Sequence, residues 1–169
     1  MNFTADRQTV PNAVLIPVGP DGEVCVDVNG AAHVIIDVAG YVPAESSITV
    51  MSAQRVSDTR GSTKVGVTDG TGGPLEVPIV DLVDRDISGR VVAVWLNATA
   101  VDTETSEVGG FLTVYPCGKR PDASNLNFVT DDVIANGVLA PVSATGSVCL
   151  YVYGMAHLLV DVAAFIAVD

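Results

Sequence analysis

The sequence predicts an all-β protein: an antiparallel β-sandwich or jelly-roll-like module over residues 46–169, preceded over residues 1–45 by the C-terminal half of a second one. Three observations predict it. Nearly half of the chain is apolar, but that share is carried by Val and Ala, with only 5% aromatics, a composition that suits short strands. Sixteen Gly and nine Pro supply turns between them, and no stretch sustains a helical period. The third observation is a repeat: Glu23–Tyr41 reappears as Ser147–Phe165, with Cys25, His33 and Asp37 matching Cys149, His157 and Asp161 at one offset, 149 − 25 = 157 − 33 = 161 − 37 = 124. Asn2-Phe3 answers Asn127-Phe128 at an offset of 125, so one residue is gained or lost in between.

In chain order, Val14–Val18 reads as a short apolar strand closed by the turn signal Gly19-Pro20-Asp21-Gly22. Val24–Val28 follows, with Asn29-Gly30 as a tight hairpin turn, then the β-branched run His33–Val38 bounded by Gly40. Two hairpins give about three strands, too little core to fold alone. Pro43–Ser47 reads as a connector, Ile48–Met51 as a strand, Gln54–Gly61 as the lead into a loop-rich region, and Thr68–Pro74 as a turn. Pro78–Asp84 is too short for periodicity to separate a strand from a helical turn. Val91–Val101 is the longest apolar run and predicts a central strand. Asp102–Glu107 is an acidic connection, Gly110–Pro116 a strand stopped by proline and glycine, and Asn127–Phe165 repeats the N-terminal pattern.

Charge narrows the partners. Twenty acidic and eight basic side chains leave a formal net charge of −12. A polyanion binds through cations that displace its counterions, so nucleic acid is disfavoured, as are anionic membrane surfaces. No apolar run reaches the roughly 18–20 residues that span a bilayer, so no membrane insertion is expected. The first residues lack the basic and then apolar regions of a secretory signal.

Several motifs resemble a known module. Arg55-Val56-Ser57-Asp58-Thr59-Arg60 is similar to an Arg-Leu-Leu-Asp-Thr-Arg opening, and Leu96-Asn97-Ala98-Thr99 to a Leu-Asn-Val-Thr strand. Gly110–Gly118, Arg120–Phe128 and the closing His157–Ala163 complete the set. Together they resemble an all-β module, about as long as the repeat offset, that occurs in tandem in secreted and surface proteins of actinobacteria. Residues 48–169 correspond to a whole module and 1–45 to the second half of a preceding one. Ser57 replaces the usual Leu, and Ala164-Phe165 replaces Gly-Tyr. The resemblance implies an accessory or structural repeat with no established enzymatic activity.

The resemblance also implies that Cys117 pairs with Cys149, closing a loop of about thirty residues that contributes roughly 3–4 kcal/mol; two buried reduced thiols are the alternative. Cys25 matches Cys149, but the residue that would match Cys117 falls before Met1, so Cys25 is expected to be free or to bond between subunits. No two cysteines share the short spacing of a zinc knuckle.

His33/Asp37 and His157/Asp161 are each four apart, so in a strand both side chains share a face. That could hold a metal or orient a general base. Their duplication favours a structural hydrogen bond, because packing motifs repeat with the fold and catalytic sites seldom do. The clusters Asp81/Asp84/Asp86, Asp102/Glu104/Glu107 and Asp131/Asp132 read as solvated loops; weak calcium binding is the alternative. Asn2-Phe3-Thr4 and Asn97-Ala98-Thr99 match the glycosylation sequon. Ser124 lacks a Gly-x-Ser-x-Gly elbow. Trp95, mid-strand in an apolar run, reads as core, and Tyr115, Tyr151 and Tyr153 are the candidate ligand-facing aromatics for a sugar.

These readings point to a structural or interaction protein without catalytic residues, cofactor or metal, on a bacteriophage virion as capsid decoration or tail component, or on an actinobacterial cell surface in a stalk or in adhesion. A half-module cannot bury its apolar faces alone, so strands completed in a neighbour predict a homo-oligomer or larger assembly. Carbohydrate binding is the alternative.

Overall fold

The computed structural model describes residues 9–79, 82 and 90–168. Its strands are β1 (Ile48–Asp58), β2 (Leu75–Pro78), β3 (Val91–Glu104), β4 (Gly110–Pro116), β5 (Leu126–Phe128), β6 (Ile134–Pro141), β7 (Ser147–Tyr153) and β8 (Met155–Ala167). They form two four-stranded antiparallel sheets, ordered β1-β8-β3-β6 and β2-β7-β4-β5. The fold is an all-β sandwich.

The core lies between the sheets because each long strand alternates. Along β3, Val94, Leu96, Ala98 and Ala100 are fully buried, and they meet Leu158, Val160 and Val162 of β8. Leu112 and Val114 of β4 and Val148, Leu150 and Val152 of β7 close the core from the other sheet. Trp95 sits between two inward residues, so the two-residue period turns it to the outer face, where it is half-buried. The expectation of a core tryptophan is corrected: parity along the strand decides the face, and an apolar run conceals parity.

β3 is central, between β8 and β6. It runs on to Glu104, so part of the acidic connection is strand, with Asp102 in the left-handed region at φ 51°. β7 and β8 belong to different sheets although Gly154 alone separates them. Gly154 has φ 96°, and the Glu104 carbonyl oxygen lies 2.8 Å from where a Cβ would stand, so this corner requires glycine.

Residues 9–45 form no strand. The Gly19–Gly22 turn is present, with Gly22 N–H donating to the Gly19 carbonyl at 2.9 Å, but the three strands expected around it are unpaired. A strand exists only as part of a ladder, and the sequences they copy take their ladder partners from β1 to β4. Of Pro78–Asp84, Pro78 ends β2, and most of the rest lies outside the described residues.

Candidate functional site

The Cys-His-Asp motif of β7 and β8 resolves into separate structural roles. His157 and Asp161 lie on the outer face of β8, and the residue opposite Asp161 across the sheet is Arg55. Arg55 Nε and Nη2 donate to the two Asp161 oxygens at 2.6 and 3.1 Å, a bidentate fork. Its Nη1 reaches Asp58 at 3.4 Å, and Arg60 Nη2 donates to Asp58 at 2.6 Å. Hydrogen bonds from the Arg60 side chain and backbone, in that order, hold the Asp58 carboxyl well below the usual carboxylate range.

Thr59 continues the seam. Its Oγ1 accepts the Leu158 N–H at 2.8 Å and lies 3.5 Å from His157 Nδ1. His157 Nε2 is 4.0 Å from Asp102, and Lys64 Nζ lies 2.9 Å from Asp102 and 2.6 Å from Glu104. Hydrogen bonding to Glu104, then to Asp102, raises the Lys64 pKa, while Lys64 lowers that of Asp102. The Arg55–Arg60 segment is therefore a clasp that fastens β1 to β8. Sequence reasoning missed Arg55 as the partner of Asp161; the available signal was that both belong to motifs.

The second copy of the motif has no clasp. Among the described residues His33 and Asp37 are exposed and take part in none of these contacts. Within the repeat, Asn12–Val18 matches Asn136–Val142 at 136 − 12 = 124. Residues 12–41 thus carry copies of β6, β7 and β8 in order. Their start touches the module. Asn12 Nδ2 donates to Asn97 Oδ1 at 3.1 Å, and its Oδ1 accepts the Gly137 N–H at 2.9 Å. The Ala13 carbonyl and the Trp95 ring leave no room for a Cβ at Gly137. Beyond it Val14, Ile35, Val38 and Tyr41 stand in solvent.

The other candidates fall elsewhere. Cys117 and Cys149 form a disulfide with Cα atoms 4.9 Å apart, and Cys25 is free and exposed. The aromatic platform differs from expectation, because Tyr115 and Tyr151 are buried beside that bridge. Tyr151 Oη donates to the Gly70 carbonyl at 2.6 Å, and the Arg120 guanidinium covers its ring. Tyr153 is half-buried and stacks on Phe111 with centroids 5.3 Å apart, beside an open groove lined by Val108, Phe128 and Asp132. Ser124 lies in a second shallow groove with Phe111 and Arg120.

Asp102 and Glu104 are engaged by Lys64, and Asp132 accepts the Val129 N–H at 2.8 Å. Asp81, Asp84 and Asp86 lie outside the described residues. Among the described residues, no three His, Cys, Asp or Glu side chains converge as a metal site. Comparison with known proteins adds no assignment: no family model matches the chain, and no curated protein matches it.

Proposed function

We propose that this chain is a non-enzymatic structural and interaction protein of a surface assembly, joined to its neighbours by strand complementation. One observation carries the reading: a finished sandwich is accompanied by a second set of β6-to-β8 sequences with no ladder partner among the described residues. Ile35, Val38 and Tyr41 are 87%, 87% and 90% exposed. Burying a side chain of this size gains about 1.5–3 kcal/mol, so pairing several of them contributes toward the cost of ordering the segment. The setting we propose is a virion surface, as capsid decoration or tail component, or an extracellular actinobacterial stalk or adhesion repeat. The Cys117–Cys149 bridge accords with oxidising surroundings.

Light scattering over a concentration series tests this reading. Concentration-dependent self-association is the expected result, and a monomer at every concentration overturns it. Glycan binding rests on Tyr153 and Phe111 alone, and a glycan array is its test.

A further inference from the structure

We infer that the partner of the His33–Tyr41 strand is the open edge of β1 in a second copy of this chain, with Asp37 set against Arg55. The inference rests on the assembly reading and names its donor, acceptor and register. Among the described residues β1 is the outermost strand of its sheet, so one edge pairs with β8 and the other is open. The sequence that already fits β1 is that of β8, and His33–Tyr41 is its near copy. Of the nine positions aligned with His157–Phe165, His, Asp, Val and Ala are identical at four, and the others exchange one apolar or small residue for another.

Register follows from the observed pair. β8 places Asp161 opposite Arg55 and Leu159 opposite Asp58. Shifted by 124 residues, the same register sets Asp37 opposite Arg55 and Ile35 opposite Asp58. The Arg55 side chain is 42% exposed and spends its short bonds on Asp161, leaving Nη1 with a 3.4 Å contact to Asp58. A guanidinium carries five N–H donors, so a second carboxylate on the open side completes its shell. Met51 and Val56, half-buried on this outermost strand at the margin of the core, gain cover from the apolar positions flanking Asp37.

The chain's own copy is a poor occupant. Within one chain, Val42 and Ile48 would close a hairpin over Pro43–Ser47. Ser46 Oγ already takes the Ile48 N–H at 3.1 Å and donates to the Ile48 carbonyl at 3.2 Å. Those groups point away from β8, because the preceding Ser47 carbonyl is the one that accepts the Ala167 N–H. The rung needed to start the hairpin is therefore filled. Pro43 stiffens the same hinge, which spans only Pro43–Ser47, and short hinges that resist closure favour exchange between copies over closure within one. Reciprocal donation by two copies closes the pair as a two-fold dimer.

Sedimentation of the full chain and its variants tests this. Asp37→Arg is expected to weaken dimerisation at least tenfold without shifting the melting temperature measured at concentrations where the chain is monomeric, since Asp37 is exposed and outside the sandwich. Exchanging the clasp as Arg55→Asp with Asp161→Arg keeps the internal pair but sets Asp37 against a carboxylate, so dimerisation weakens; adding Asp37→Arg to it restores the dimer. If the exchanged clasp fails to fold, Asp37→Arg alone decides. Association indifferent to Asp37→Arg removes this inference and leaves the assembly reading standing. A wild-type monomer with slow amide exchange over 33–41 removes the second copy in favour of the same chain, and a monomer without it removes both readings.

Discussion

Arg55 and Asp161 are 106 residues apart in sequence and directly opposed across β1 and β8, joined by two hydrogen bonds of 2.6 and 3.1 Å. The contact makes the edge strand β1 part of the module. Because both side chains are partly exposed, solvent screens the pair, and Asp161→Asn should cost about 1 kcal/mol, lowering the melting temperature by about 3–4 °C. Asp37→Asn, at the matching position of the half-module, should leave the melt unchanged at concentrations where the chain is monomeric. Paired thermal melts check both.

Thr59 is the more costly residue to lose. Its hydroxyl satisfies the Leu158 N–H in a buried setting, and an orphaned buried donor costs about 1–3 kcal/mol. Thr59→Val should therefore lose about 2 kcal/mol in urea unfolding, while Thr59→Ser retains most of the stability. A larger loss in Thr59→Ser than in Thr59→Val would mean that the methyl, not the hydroxyl, matters.

Reduction offers a separate measurement. The Cys117–Cys149 bridge spans 32 residues of sequence, and closing a loop of that size in the unfolded chain contributes about 3.5 kcal/mol. The double variant Cys117→Ser with Cys149→Ser should shift the urea midpoint down accordingly. Reductant should shift the wild type to the same midpoint and leave the variant untouched.

Acid should dismantle the clasp from the Asp58 side. The folded-state pKa of Asp58 is depressed by its hydrogen bonds to Arg60, so its contribution is present above the unfolded value of about 4 and is lost as pH falls through the folded value. The difference in melting temperature between wild type and Asp58→Asn should be measurable at pH 7 and shrink progressively as pH falls below about 4. A difference that stays constant through that fall would assign the effect to packing.

Much of the fold was legible because it rests on local period. The runs Val91–Val101 and Gly110–Pro116 are β-branched or aromatic and end at turn residues, and both are strands. What local period cannot supply is the identity of the neighbour. Asp161 could be read as half of a His-Asp pair, but not as the partner of Arg55, since sheet order sets that pairing. The same limit explains residues 9–45, whose sequence is as strand-like as β8. Propensity describes what a segment can become, and a ladder requires a second chain segment to pair with. Trp95 was misplaced for a smaller reason: one residue of parity separates a core position from an outer one.

The register of β1 with β8 has a mechanical consequence. Ile48 faces Ile166, and the Ala167 N–H donates to the Ser47 carbonyl, so the module begins and ends side by side at one corner. Tension applied between residues 47 and 167 therefore does not load the ladder lengthwise. It opens β1 from β8 like a zip, one rung at a time, until it meets the Arg55–Asp161 clasp. That clasp is the catch on which such a peel must first pause, and the sandwich hangs from the strained thread as a side lobe instead of a link within it.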